Sequence, residues 1–139
     1  MDPNHPALVA AQSSWRCVHA KDKAGWLGLM ADDICVEDPI GLAPTNPDGH
    51  GVKGKAAMDA FWDGNIEPNT IRVETHESFV AGDESAHRMT LTTTFPNGAS
   101  MKLNGIFTYR VNAEGKLTNL RGYWLLEDSV FSSPEGAGT

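Results

Sequence analysis

The feature of this sequence best suited to acid–base catalysis is a carboxylate that follows an apolar strand. Asp38 follows Ile34 and Val36 at alternate positions, and alternate residues of a strand lie on one face of a sheet. If that face is internal, the Asp38 charge is costly unless it is paired or lines a cavity. A carboxylate in such a place is suited to act as a general base. The alternative is that Asp38-Pro39 simply ends a strand, as Asp-Pro pairs often do.

Other side chains with hydrogen-bonding or aromatic character are predicted to share this interior. The inner face of the segment 99–111 consists of Met101, Leu103, Gly105, Phe107, Tyr109 and Val111. Tyr109 thus brings a hydroxyl inward, either as a site group or as a core tyrosine whose hydroxyl reaches the rim. Trp124 shares a face with Leu120 and Gly122. His87 alternates with Met89, and a lone inward histidine is more often structural than catalytic.

These residues lie on a helical first half and a β-rich second half. Helical periodicity runs from Pro6 through Val18, then to about Met30, and from about Lys53 to Gly64. Strand patterns follow at about 71–80, 85–95, 99–111 and 116–126. The short connections between them contain turn-forming residues and predict antiparallel neighbours. We therefore predict an α+β fold, in which a curved antiparallel β-sheet and three helices enclose an apolar pocket.

Composition narrows the classes of partner. The 139 residues predict a single domain over 1–139, with 1–5 and 132–139 as disordered tails. A net charge of −7 argues against nucleic acid and anionic membranes. The sequence has no apolar run that would span a membrane and no secretory leader, so we expect a cytoplasmic protein. The histidines lack ligand spacing and the two cysteines form no metal motif, so we predict no metal site.

The segment 116–126 is apolar on both faces near its end. Leu120, Trp124 and Leu126 are on one face, and Tyr123 and Leu125 are on the other. A strand that is apolar on both faces is covered on both, which predicts a homodimer across the outer face.

With these residues in place, the chain resembles the Δ5-3-ketosteroid isomerase family, and it looks closest to the mycobacterial homologues. The segment from Ala31 to Gly41 is similar to the family segment that contains the catalytic aspartate. Ala60-Phe61-Trp62 resembles the Ala-Phe-Tyr of the third helix in that family, and Gly105 to Trp124 aligns with its last two strands. The likeness covers roughly residues 8–130. It implies a cone-shaped fold of the nuclear-transport-factor-like kind, a homodimer, a deep apolar pocket and no cofactor.

The resemblance also implies a mechanism, in which an aspartate moves a proton between two carbons of a 3-oxo-Δ5-steroid while an oxyanion hole holds the dienolate. Asp38 matches the base, and Trp124 matches an aromatic residue that borders it. The two oxyanion donors of the family fall on Ser14 and Phe107, which are different residue types. Tyr109 lies one inward step from Phe107 and is the candidate for a replacement hydroxyl. Asn104 is a weaker candidate, because alternation places it on the opposite face unless a bulge intervenes.

We therefore predict steroid Δ-isomerase activity with Asp38 and Tyr109 as catalytic residues. The predicted substrate-binding residues are Phe61, Trp62, Met89, Phe107 and Trp124. The alternatives are a non-catalytic carrier of steroids or other hydrophobic small molecules, or another reaction of the same fold, such as epoxide hydrolysis or polyketide cyclisation.

Overall fold

The computed structural model describes residues 1–134. The α-helices are α1 (Pro6–Ala20), α2 (Lys23–Gly28) and α3 (Lys55–Phe61), and α3 continues as a π-helix over Trp62–Ile66. The strands are β1 (Met30–Glu37), β2 (Val52–Lys53), β3 (Thr70–Ala81), β4 (Glu84–Thr94), β5 (Ser100–Val111), β6 (Leu117–Tyr123) and β7 (Val130–Ser132), with a short 3₁₀ helix at Leu126–Asp128. The fold is α+β, as the sequence pattern predicts.

The strands form one curved, unclosed sheet in the order β2-β1-β6-β5-β4-β3, and β7 pairs with β5. The long pairs β3–β4, β4–β5 and β5–β6 are antiparallel, because turns of a few residues connect them. By contrast, β1 lies parallel to β6. The chain between β1 and β6 includes most of the domain, so no tight turn constrains their relative direction.

The first helix is placed by its caps and by small residues. Pro6 occupies the first turn, and the His5 ring accepts a hydrogen bond from the Ala7 backbone N–H. The buried face of the helix consists of Ala7, Leu8, Ala10, Ala11 and Ser14. Short side chains allow the helix to lie close to β3, β4 and β5. As a result, the next residue, Trp15, reaches β5 and contacts Tyr109.

The core lies between the sheet and the helices. Its largest fully buried side chains include Trp62, Phe107, Ile34, Met58 and Met89. The rings of Trp26 and Trp62 pack with their centroids 5.2 Å apart, which joins α2 to the start of the π-helix. This packing covers one side of the sheet and leaves the cavity described below.

The segments expected to be tails make some contacts with the rest of the domain, and their disorder stays a prediction. His5 caps α1. Ser132 ends β7, which pairs with Ser100 to Lys102 of β5, so the strand continues into the segment expected to be a tail. The rest of that predicted tail, beyond residue 134, lies outside the described residues.

Candidate active site

An apolar cavity of ≈190 Å³ lies between the helices and the sheet. Its lining side chains come from α1, α2, the end of α3 and the π-helix, from β1, β3, β4, β5 and β6, and from connecting segments. Asp38 is the only ionised carboxylate or basic side chain among the described residues that line the cavity. The cavity therefore presents a single charge to any ligand, within walls made mainly of Val, Leu, Ile, Met and aromatic residues.

Asp38 is placed directly after β1, where Ile34 and Val36 precede it on the buried face. The Trp124 indole N–H donates a hydrogen bond of 2.7 Å to Oδ1 of Asp38. Burial away from water raises the pKa of Asp38 from 3.8 to about 6, and the Trp124 hydrogen bond opposes this rise. A carboxyl with a pKa near 6 exists in both forms near neutral pH, which suits a group that both takes and returns a proton.

The close approach of Trp124 to Asp38 depends on Gly122. An added Cβ at this position would lie 2.8 Å from Asp38 Oδ1 and 2.9 Å from Trp124 Nε1. It would also lie 2.9 Å from a ring carbon of Phe107. A side chain at position 122 would therefore occupy the space in which the carboxylate and the indole meet.

The loop after Asp38 fixes its backbone. The Thr45 hydroxyl donates to the Asp38 carbonyl, and Asn46 Nδ2 donates to the Pro39 carbonyl at 3.0 Å. Asn46 is fully buried, and its Oδ1 accepts from the Gly51 N–H at 2.8 Å. Hydrogen bonds from Thr45 and Asn46 thus hold the backbone at Asp38 and Pro39 in place.

Tyr109 lies in the same cavity, on β5, with 3% of its surface exposed. The Trp15 indole N–H donates to its hydroxyl oxygen at 2.9 Å. Burial raises the pKa of Tyr109 above its usual range. The Trp15 hydrogen bond opposes that rise, and the charge of Asp38 adds to it. Tyr109 is therefore a neutral phenol at physiological pH, able to donate its proton in a hydrogen bond.

His87 is buried but is fully engaged in structural hydrogen bonds. Its Nδ1 lies 2.7 Å from the Ser78 hydroxyl, and its Nε2 lies 2.8 Å from the Ser85 hydroxyl. Burial lowers the pKa of His87 to about 4, so the ring is neutral. This histidine has the structural role that the sequence analysis favoured.

The structure places most of the predicted site residues around one cavity. Phe61, Met89, Phe107 and Trp124 line it together with Asp38 and Tyr109. Trp62 lies elsewhere, in the core: it is 0% exposed and its indole N–H donates to Glu67 at 2.7 Å. The predicted contact between Trp62 and a ligand is therefore not part of the site that we propose.

Three functional positions were not identified from the sequence. Trp15 and Asn46 act through contacts between distant parts of the chain. Gly122 was recognised only as a member of an apolar row. The remaining cavity residues are mostly apolar, and among the described residues no group of three His, Cys, Asp or Glu side chains could hold a metal ion. None of the helices within residues 1–134 has the length and apolar character needed to cross a bilayer.

Comparison with known proteins places this geometry in a family. The model of the SnoaL-like domain matches residues 11–120. This chain belongs to the SnoaL-like family. The matched segment includes Asp38, Tyr109, most of α1 and all of α2 and α3, whereas Trp124 lies four residues beyond its end.

Solved structures with high similarity to this SnoaL-like protein include one that is named a ketosteroid isomerase. A Δ5-3-ketosteroid isomerase from a Mycobacterium species is 54% identical, with a TM-score of 0.90 over 92% of this chain and 99% of that one. RV0760c from Mycobacterium tuberculosis is 50% identical, with a TM-score of 0.91 over 95% of this chain and 100% of that one.

Two further structures of this kind contain or were designed for steroids. RV0760c in complex with estradiol-17β-hemisuccinate is 52% identical, with a TM-score of 0.90 over 92% of this chain and 100% of that one. A computationally designed 17-OHP binder is 48% identical, with a TM-score of 0.91 over 93% of this chain and 100% of that one. The predicted resemblance to the ketosteroid isomerase family and its nuclear-transport-factor-like fold is confirmed.

Proposed function

We propose that this protein is a cofactor-independent steroid Δ-isomerase that moves a carbon–carbon double bond in a 3-oxo-Δ5-steroid. The observation that carries the proposal is Asp38, a single carboxylate in an apolar cavity, with its pKa raised to about 6 and its Oδ1 bound by Trp124. The names of the similar structures support a steroid as the ligand class. The apolar lining of the cavity supports a flat hydrophobic ligand.

The reaction requires one group to act first as a base and then as an acid. In the proposed first step, the Asp38 carboxylate takes a proton from the carbon between the ketone and the double bond. The electron pair of that C–H bond moves toward the carbonyl oxygen, which gives a dienolate. In the second step, protonated Asp38 returns the proton to the far end of the dienolate, and the conjugated enone forms. No net gain or loss of protons or electrons occurs.

Tyr109 is the proposed donor to the dienolate oxygen. It is a neutral phenol on the wall of the cavity that contains Asp38. Donors aimed at developing negative charge are worth more in a site from which water is excluded. This role for Tyr109 compensates for Ser14 and Phe107, which occupy the positions of the two oxyanion donors of the family.

We also propose that the protein is a homodimer. Ile106, Tyr123 and Leu125 are large apolar or aromatic side chains that remain exposed on or beside β5 and β6. A second subunit would cover them, whereas a monomer would leave them in water.

The first experiment is to mix the protein with a 3-oxo-Δ5-steroid and to follow the absorbance of the conjugated enone. Tryptophan fluorescence is measured in parallel, because Trp15, Trp26 and Trp124 line the cavity and a bound steroid should quench them. Enone formation above the uncatalysed rate, together with quenching, is the expected result. Absence of quenching by any of several steroids would contradict the steroid site as a whole.

The second candidate function is a carrier that binds steroids without converting them. The observation that favours it is the absence of both usual donors, because Ser14 and Phe107 line the cavity at those positions. Loss of one such donor typically costs ~10²–10³ in rate. Quenching without enone formation would support the carrier.

Epoxide hydrolysis has no support from the geometry. That reaction requires an arginine between two inward carboxylates. Arg88 pairs with Glu77 and Arg121 pairs with Glu37, and among the described residues no arginine lines the cavity. Nothing in the cavity specifically favours polyketide cyclisation.

A further inference from the structure

Trp15 and Tyr109 form a directed hydrogen bond between α1 and β5. The Trp15 Nε1–H lies 2.9 Å from the Tyr109 hydroxyl oxygen, and the ring centroids are 6.1 Å apart in an edge arrangement. An indole N–H can only donate, so the phenol oxygen is the acceptor in this contact. The phenolic proton of Tyr109 must therefore point in another direction.

His87 also packs against Tyr109, with the ring centroids 5.5 Å apart. Its two nitrogens are already assigned by their partners. The Ser85 hydroxyl donates to the Ala7 carbonyl at 3.1 Å, so Ser85 accepts from the His87 Nε2–H. His87 Nδ1 is then unprotonated and accepts from the Ser78 hydroxyl. His87 thus has no free lone pair for the Tyr109 proton.

The cavity is the remaining direction for that proton. Tyr109 lines the cavity, and within residues 1–134 its hydroxyl has no hydrogen-bond acceptor. The group that Tyr109 presents to a ligand is therefore an O–H donor. A ligand that satisfies it must place an acceptor there, such as a carbonyl or enolate oxygen.

We propose that Trp15 is a positioning residue for the reaction: its indole N–H holds the oxygen of Tyr109, so that the phenolic proton is directed at the carbonyl oxygen of the steroid. This inference rests on the proposed function of the cavity and adds a residue that does not itself have to touch the reacting atoms. Hydrogen bonds in a chain strengthen one another, so donation from Trp15 also makes the Tyr109 O–H a better donor. The effect should be larger on the dienolate than on the ketone, because the charge on the oxygen is larger there.

The direct test is spectroscopic and does not require turnover. A 3-oxo-Δ4-steroid contains the conjugated enone, which absorbs at longer wavelength when its carbonyl oxygen accepts a strong hydrogen bond. This steroid is bound to the unmutated protein and to Trp15→Phe, Tyr109→Phe and the double variant. Phenylalanine keeps an aromatic ring at position 15 but removes the N–H.

The expected result is a shift to longer wavelength in the unmutated protein, a smaller shift in Trp15→Phe, and none in Tyr109→Phe. The double variant should match Tyr109→Phe, because Trp15 acts through the phenol. A full shift in Trp15→Phe would overturn the inference. So would binding to the unmutated protein without a shift, because Tyr109 would then not contact the carbonyl.

Kinetics provide a second readout if the protein turns over a 3-oxo-Δ5-steroid. Trp15→Phe should lower kcat about tenfold with little change in KM, the size expected for one hydrogen bond. Tyr109→Phe should lower kcat on the order of a hundredfold. In the Tyr109→Phe background, the Trp15→Phe change should have no further effect, whereas a purely structural loss would reduce kcat again.

These outcomes separate the inference from the proposed function. Loss of the enone shift in Tyr109→Phe but not in Trp15→Phe would overturn the role of Trp15 and leave Asp38 and Tyr109 in place. Absence of turnover in the unmutated protein would remove the isomerase proposal, while the enone shift would still test whether Trp15 directs the Tyr109 proton. If Trp15→Phe does not fold, Trp15→Leu also lacks the N–H and carries the same expectations.

Discussion

Replacement of Asp38 by asparagine should remove the base and also stabilise the fold. Oδ1 of an asparagine can still accept the hydrogen bond from Trp124, so the substitution keeps the observed contact and removes the charge. A pKa raised by burial means that the folded protein disfavours the ionised carboxylate. At neutral pH the unmutated protein bears this cost, and the asparagine variant does not.

The magnitude follows from the pKa of Asp38. An increase of the pKa from 3.8 to about 6 corresponds to about 3 kcal/mol, because a change of one in the pKa is worth ~1.36 kcal/mol. Because the folded pKa is above the unfolded value, protonated Asp38 stabilises the fold below pH ~4, and this stabilisation is lost as the pH rises to ~6. The variant should therefore be more stable by about 2–3 kcal/mol near pH ~7.5, and by only about 1 kcal/mol near pH ~4.5.

The assay is urea unfolding of both proteins at the two pH values, with the free energy of unfolding taken from the midpoint and the slope. Asp32→Asn is a matched control, because Asp32 is on the same strand but exposed. The control should change stability by no more than ~0.5 kcal/mol. Steroid binding should survive or tighten in Asp38→Asn, because a charge has left the apolar cavity.

A less stable Asp38→Asn variant would refute this reasoning, because it would show that the ionised carboxylate makes a net favourable interaction in the fold. A gain in stability that is the same at both pH values would also refute it, since the effect would then not come from ionisation of Asp38.

Three further predictions concern the same site and its assembly. Gly122→Ala should lower kcat at least tenfold and destabilise the fold by about 1–3 kcal/mol, because the new methyl group displaces Asp38, Phe107 or Trp124. Unchanged kcat and unchanged stability would contradict this prediction. The kcat/KM of the unmutated protein should rise with pH, with a midpoint near the Asp38 pKa of about 6. Trp124→Phe should move this midpoint to higher pH, because the Trp124 hydrogen bond stabilises the charged carboxylate. A midpoint that stays or falls would contradict that role of Trp124. Light scattering should give about twice the chain mass of 15.0 kDa, and a monomer at micromolar concentration would contradict the dimer.

The parts of the site that lie on strands could be predicted from the sequence. Alternation along a strand fixes which side chains share a face, so Phe107 and Tyr109 were assigned to the interior and the structure places both on the cavity wall. Asp38 follows the buried face of β1 for the same reason. The parallel pairing of β1 with β6 was not predicted, because no turn sequence connects them.

The helical parts of the site were harder to predict. The pattern from Lys53 to Gly64 predicts one regular helix, but the chain changes to a π-helix at Trp62. A π-helix has more residues per turn, so the face that a residue presents no longer follows α-helical periodicity. Phe61, the last residue of α3, lines the cavity, whereas Trp62 packs against Trp26 in the core.

Trp15 illustrates a second limit. Its spacing indicates a buried residue of α1, but the partner of its N–H is 94 positions away in the sequence. The contact depends on how closely α1 lies on the sheet, which a local pattern does not encode. The same holds for Asn46, whose brace of the loop after Asp38 depends on the fold of that loop.

The most direct test of the central claim is the rate of enone formation from a 3-oxo-Δ5-steroid by the unmutated protein and by Asp38→Asn, with steroid binding measured for both. A general base contributes typically ~10²–10⁴ in rate, so the variant should lose at least about a hundredfold in kcat while it still binds the steroid. Isomerase activity that is present in the unmutated protein and undiminished in Asp38→Asn would contradict the assignment of Asp38 as the group that moves the proton.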